Sequence, residues 1–410
     1  MDVLGLRSEP VPKIGLGIVR HYNGLEPGSQ FDVLSDIYPT GLSMWLIEAG
    51  ILHEAAQDGD ACWRISITRS GSPGQGTIPG LHHVVAKADG TIFTCERGER
   101  VARIDGKSGK VEAVNTVGKK TSHLAVQAEG EHLYISDFLD NALIAVRTDD
   151  MTVAHRWPAP GGPQLPIVTK DGIVAVTGPG GGTLTIVRPK EEGAEVQTIE
   201  VGSCPHDPEV SADGKIIYVP CAGDGVVAKV DLSNGQELAR IPVGDGPTHM
   251  ARHPDGDRFY VANSFSGDVT CFSEDGEVLA RAASGPWAHA ISITPNGQKL
   301  YVANFYDNTL AIFDPENLDR LAILPTEAYP HGLDISPDGR FVVVTGFSSE
   351  YLRIHDAASG VELHRTEVGG GSSHTAFLPD GKTAVVACSV ADHLAFVDLE
   401  TGACSKQVGL

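Results

Sequence analysis

Seven histidines recur along the chain at nearly even intervals: His83, His123, His206, His249, His289, His331 and His374. Gln164 fills the one missing place, and the steps are then 40, 41, 42, 43, 40, 42 and 43 residues. In the first copy His82 competes with His83 for the position. Imidazole titrates near neutrality and is the commonest metal ligand. A ring of packed imidazoles would repel if protonated, and a bound ion would hold them neutral. Neutral imidazoles suit Zn, Fe, Ni or Cu, whereas oxygen-rich sets suit Ca or Mg. Seven exceed the three or four that one zinc takes. Either a subset binds one ion or the site holds more than one.

The elements that must gather these residues are visible around each of them. PHDPEVSADGKIIYV, AHAISITPNGQKLYVA and PHGLDISPDGRFVVVTG follow one grammar, and eight such copies occur. A short apolar strand leads to a turn ending in Gly, then a β-rich strand, an alternating strand such as TLAIFD, a second turn and a last strand. Asp-Gly and Asn-Gly between apolar runs supply the positive φ of tight turns. About 42 residues and four strands make one propeller blade. The sequence therefore predicts an all-β fold, a β-propeller of eight four-stranded blades over 76–410, or seven if one copy is diverted. The first strand of each blade lines the central channel, so the histidines form a ring at its mouth. The loop after the second strand opens on the same face and carries Glu96, Asp137, Thr177, Cys221, Asn263, Asn304, Gly346 and Cys388. Glu96 and Asp137 are the candidate general bases.

Residues 1–75 do not fit the repeat. GLSMWLIEAGILHEAAQDG (41–59) has the apolar spacing of one amphipathic helix. CWRISITR (62–69) reads as a lone strand that could close the ring as the outer strand of the last blade. The remainder could cap one face or form a contact between copies of the chain.

Bulk properties exclude several classes. A formal net charge of −22, without a Lys/Arg run, argues against nucleic acid and anionic membrane surfaces as partners. No segment approaches 18 consecutive apolar residues, so no membrane span is expected. Seven cysteines, an odd number without CxxC pairing, read as reduced thiols and a cytoplasmic protein, or a periplasmic one if a leader has been removed. No GxSxG is present, and Ser122-His123 and Ser373-His374 are sequence neighbours without triad geometry. GPGGGT (178–183) lacks a following Lys-Ser/Thr and reads as a blade turn. Cys204 reads as a buried thiol, and His21, His53, His132, His155, His253, His355, His364 and His393, outside the column, as packing or surface residues.

YVANSFSGDVTCF and LYVANFYDNTLAIFD resemble the YVTN/YncE-type repeat, within the wider class that contains lactonase-like propellers. The resemblance covers about 330 residues and implies the fold more firmly than any activity. Joined to the histidine ring, it implies a metal-dependent enzyme that hydrolyses, or cleaves as a lyase, a small ester- or lactone-like substrate. Two alternatives stand beside it: a copper-type oxidoreductase with a multi-histidine cluster, and a non-catalytic metal-binding or scaffold propeller.

Overall fold

The computed structural model describes residues 2–5, 29–35, 53–57, 63–68, 80–127, 129–190 and 193–410. The chain divides into two compact units, Met1–Pro79 and Gly80–Leu410.

The second unit is a propeller of eight four-stranded antiparallel blades. Blade 1 runs from Leu81–Ala86 through Val111–Thr116, and blade 8 from Ser372–Phe377 through Cys404–Val408. Each blade is one uninterrupted stretch of chain whose strands pair in sequence order. The inter-strand turns carry the expected chemistry. Gly339 and Gly381 sit at φ 70° and 66°. Beside them, Asp338 and Asp380 accept the amides of Arg340 (3.1 Å) and Lys382 (2.8 Å).

Blades adhere through apolar faces and a repeated tyrosine. Tyr218, Tyr260 and Tyr301 on the second strands of blades 4, 5 and 6 are fully buried. Each donates its hydroxyl to a backbone carbonyl of the following blade: Glu274 at 2.8 Å, Pro315 at 3.0 Å and Ala357 at 2.9 Å. A buried phenol needs such a partner, which accounts for the Tyr in KIIYV, RFYVAN and KLYVA. The ring closes where blade 8 meets blade 1. Leu81, Val84, Ile92 and Ile104 pack with Leu378, Val385, Leu394 and Phe396, and Ser373 Oγ donates to the His82 carbonyl at 3.0 Å.

The first unit contains a four-stranded sheet in the order Asp2–Gly5, Gln30–Ser35, Trp63–Thr68, His53–Gln57. Phe31, Val33, Ile65 and Ile67 fill one face, while buried Asp32 receives Arg64 and Ser66 on the other. This sheet departs from two expectations. Residues 53–57 of the expected 41–59 helix form a strand, because pairing with Trp63–Thr68 outweighs the helical preference of Glu54-Ala55-Ala56. Residues 41–52 and 58–59 lie outside the described residues. Trp63–Thr68 pairs inside this sheet rather than closing the ring, since blade 8 already holds its own outer strand, Cys404–Val408.

Candidate functional site

Seven of the eight blades, all but blade 3, begin at the channel with an irregularity that decides which side chains meet there. In blade 7 Pro330 pairs with Gly346 and Leu333 with Val344, so His331 and Gly332 together oppose the single residue Thr345. Blades 2, 5, 6 and 8 repeat this bulge with Ser122-His123, Thr248-His249, His289-Ala290 and Ser373-His374. Blade 1 places His82-His83 there and blade 4 His206-Asp207. A bulge re-aims side chains and is a frequent device beside functional sites. The histidines thus occupy two positions rather than one. His82, His206, His289 and His331 take the first; His83, His123, His249 and His374 take the second, with Asp207.

Rings from both positions meet around the axis. Centroids are 5.0 Å apart for His82–His123, 5.0 Å for His82–His374, 5.4 Å for His374–His331 and 5.2 Å for His331–His289. The chain of contacts continues at 4.3 Å for His289–His249 and 5.1 Å for His249–His206. His83 joins from the same blade as His82, 4.5 Å from His374 and 5.3 Å from His123. All seven predicted imidazoles are brought together with His82. The break falls at blade 3, where Gln164 replaces histidine.

In blades 2, 5 and 8, where histidine takes the second position, a hydroxyl fills the first and braces the bulge. Ser122 Oγ meets Ser136 Oγ and Thr248 Oγ1 meets Ser264 Oγ, each at 2.9 Å. Ser373 spans the ring seam. These hydroxyls bond one another and backbone carbonyls.

Among the described residues, two groups have donor atoms close enough to share an ion. His82, His123 and His374 form one, and His206, Asp207 and His249 the other, with all ligand atoms of each group within 4.8 Å of one another. Burial, the Arg97 charge and the neighbouring imidazoles hold His82 well below the ordinary imidazole range. Burial also lowers His374 strongly, aided by His83, His331 and His123, and lowers His289, aided by His249 and His331. His83 falls to about 3, through burial and His123 against an opposing pull from Asp207. These rings are therefore neutral at pH 7 and carry a lone pair each. His82 Nδ1, His83 Nδ1, His249 Nδ1, His374 Nε2 and both nitrogens of His289 are buried without a hydrogen bond. Such atoms are rare in folded proteins and ask for an explanation; a metal ion would satisfy several at once.

Asp207 supplies the site's negative charge. Its Oδ2 lies 3.0 Å from His249 Nε2 and its Oδ1 3.4 Å from His206 Nδ1. Burial alone would raise its carboxyl, but His249 and His206 hold it well below the usual carboxylate range. Sequence reasoning missed Asp207 because no other copy has an acid at that position. On the opposite arc Arg97 Nη2 approaches His82 Nε2 at 3.5 Å, and burial with the Arg97 charge pushes the Lys120 ammonium down to about 7. Further along the channel strand of blade 7, burial pushes the Asp334 carboxyl up to about 7.

The loop after the second strand carries Glu96 and Asp137, the expected general bases, and several of its residues peg the linker arriving from the preceding blade. Asp137 is fully buried and accepts the amides of Lys119 (2.8 Å) and Lys120 (3.1 Å). Cys221 and Cys388 donate to the carbonyls of Val201 (3.4 Å) and Val368 (3.3 Å), and burial pushes both thiols up to about 12. Asn304 accepts from Ser284 at 2.7 Å. The linker glycine explains the fit: a Cβ on Gly118, Gly244 or Gly285 would lie 2.6–2.8 Å from Asp137, Asn263 or Asn304. Glu96 is held by Arg100 through Nε (2.9 Å) and Nη2 (2.8 Å). Glu96 and Asp137 are thus committed to structural partners, and Asp207 is the carboxylate that faces the imidazoles.

Cys204 is buried with its thiol pushed up to about 12, and the other described cysteines are free thiols too. GPGGGT packs its backbone on the blade linker, with Gly180 donating to the Gly161 carbonyl at 2.8 Å. Outside the ring, His364 and His393 bond the carbonyls of Glu400 (2.9 Å) and Val368 (2.7 Å). His21 lies outside the described residues.

Comparison with known proteins places this architecture. Two solved propellers share the fold at low identity. Dihydro-heme d1 dehydrogenase NirN has TM-score 0.59 and 18% identity over 70% of this chain and 66% of its own. Kuenenia stuttgartiensis hydrazine synthase has 0.55 and 16% over 78% and 96%. In sequence, 6-phosphogluconolactonase of Sodalis glossinidius is 27% identical over 179 residues, 40% of this chain and 54% of that protein. The enzyme of the same name from Yersinia enterocolitica is 26% identical over 183 residues, 41% and 55%. The chain spans about half the length of these curated relatives. The family described as lactonase, 7-bladed beta-propeller, matches residues 88–360. That match runs from blade 1 into blade 7, and with one blade more than the family's description states, the chain belongs to the lactonase β-propeller family.

Proposed function

We propose that the protein hydrolyses a lactone at the mouth of its propeller with the help of a metal ion held by His82, His123 and His374. The observation that carries this reading is a set of three converging imidazoles, two of them neutral and each with a buried nitrogen that lacks a hydrogen bond, in the same ring as an ionised carboxylate clasped by two further imidazoles. Imidazole donors suit Zn, Fe, Ni or Cu. A bound ion of this kind supplies Lewis-acid polarisation of a carbonyl and a lowered pKa for water.

The chain's own groups provide the proton handling. Ionised Asp207 accepts from His249 Nε2–H, which fixes the tautomer and leaves the lone pair on Nδ1. Nδ1 is then a base without a competing hydrogen bond. Water gives a proton to Nδ1 as its oxygen bonds to the lactone carbonyl carbon. Asp207 stabilises the resulting imidazolium. The ring C–O bond then breaks, the leaving oxygen takes the proton back, and the product is the open hydroxy acid.

A second reading follows from the other group of donors, His206–Asp207–His249, in which Asp207 is itself a ligand. One experiment separates them. Protein purified without added metal is assayed for metal content and for lactone opening by pH-stat, alongside His374→Ala and Asp207→Asn. The favoured reading expects His374→Ala to lose metal and activity, and Asp207→Asn to keep metal while activity falls by about 10²–10⁴. Loss of metal in Asp207→Asn favours the second reading. Full activity without any metal sinks both.

A further inference from the structure

We infer that blades 5 to 7 carry an aromatic wall beside the histidine ring, built to hold a flat, apolar ring attached to the substrate. Trp287 and Tyr329 stand two residues before His289 and His331, and both are partly exposed. Trp287 contacts Phe265 (centroids 5.0 Å) and Tyr306 (5.2 Å); Phe305 contacts Tyr306 (5.5 Å) and Tyr329 (5.0 Å). Phe305, itself buried, also meets the His289 ring at 5.9 Å, which joins the aromatic cluster to the histidine ring.

The backbone gives an independent reason to assign the wall a role. The residue two before the first bulge position has positive φ in most blades, and four blades meet that demand with glycine: Gly80, Gly162, Gly246 and Gly371. Blade 4 holds Cys204 there at φ 53°, and blades 6 and 7 hold the far bulkier Trp287 at φ 57° and Tyr329 at φ 55°. A bulky residue in the left-handed region is sterically disfavoured where glycine is not. Strain of this kind persists where surrounding structure fixes it and clusters at ligand clamps. Here the left-handed backbone carries a large, partly exposed ring two residues before a ring histidine.

The rings offer mainly apolar faces, and two polar oxygens on the same loops already serve backbone. Asn308 Oδ1 accepts the Tyr329 amide at 2.8 Å, and Ser266 Oγ accepts the Asp245 amide at 3.0 Å. Offset or edge contacts from Trp287 and Tyr329 would then select an aryl substituent.

The inference builds on the hydrolase reading for turnover but not for binding, and the experiment keeps the two apart. Affinity is measured for a phenyl-substituted tetrahydrofuran, which cannot be hydrolysed, and for tetrahydrofuran itself. Turnover is measured for γ-phenyl-γ-butyrolactone, γ-butyrolactone and δ-gluconolactone. Trp287→Gly and Tyr329→Gly remove a ring at positions where glycine relieves the backbone, so melting temperature should stay level or rise. The wall predicts tighter binding of the phenyl ether than of the plain ether. Each variant should weaken the phenyl ether about three- to tenfold and raise KM for the phenyl lactone by the same factor, with kcat and the γ-butyrolactone parameters unchanged. Equal binding of the two ethers by the unsubstituted protein overturns the wall, as does phenyl affinity unchanged in both variants or a preference for δ-gluconolactone that both variants abolish. If no lactone is opened, the hydrolase reading fails and the ethers still decide the wall.

Discussion

Replacing Asp334 by asparagine should stabilise the protein above neutral pH and leave it nearly unchanged in acid. The Asp334 carboxyl is raised from an ordinary value of 3.8 to about 7 by burial alone. A raised carboxyl pKa means that the folded state binds the proton more tightly than the unfolded state. Between pH 3.8 and about 7 the unfolded chain releases that proton first, so stability falls as pH rises through this window. The full shift of about three units corresponds to ~4 kcal/mol at pH 8. Because the side chain keeps partial contact with solvent, about half of this is the better expectation. Asparagine has nearly the same shape and no charge, so it removes the penalty. With an unfolding entropy near 2.1 cal/mol/K per residue, the propeller of about 330 residues converts 2–4 kcal/mol into a rise of about 3–6 °C. The assay is thermal melting of both proteins, stripped of metal, at pH 4, 6 and 8. A difference between them that stays constant across pH would refute the argument, as would a variant that melts lower at pH 8 than at pH 4 relative to the parent.

Three further outcomes follow from the same structure. Asp137→Ala should destabilise the fold by about 2–3 kcal/mol, since two linker amides lose a buried charged acceptor; KM for any lactone measured in the folded variant should not move. Tyr260→Phe should cost about 1 kcal/mol by removing the hydroxyl that reaches the Pro315 carbonyl, read as a lower melting temperature. Cys221 and Cys388 should resist a thiol reagent in the native protein at pH 8 and react only on unfolding, with thiols pushed up to about 12.

Much of this was legible from residue order. The period near 42 and the Asp-Gly turns specify blades, because turn chemistry and strand alternation are local properties. Circular closure then gathers His83, His123 and the rest, whatever their separation in sequence. What the repeat conceals is direction. Aligning copies put all the histidines at one position, but the ladder places His331 and His374 one residue apart; the pairs Ser373-His374 and His331-Gly332 carry that difference in retrospect. The same blindness made Asp137 look like a general base, when the close approach of Gly118 and two linker amides occupy it. Asp207 escaped notice because a residue present once has no period. The Glu54-Ala55-Ala56 segment favoured helix locally and yielded to a ladder formed with a distant strand.

Because no blade borrows a strand from the other end of the chain, the seam between blades 8 and 1 is an ordinary contact, resembling the seven other joints. Each blade is therefore a self-contained module, and a whole module could be gained or lost at a linker without orphaning any strand. The difference between eight blades here and seven in the family's description needs no more than that. By the same logic, a circularly permuted version cut in the Pro242–Pro247 linker and joined from Leu410 to Gly80 should fold, its histidine ring intact.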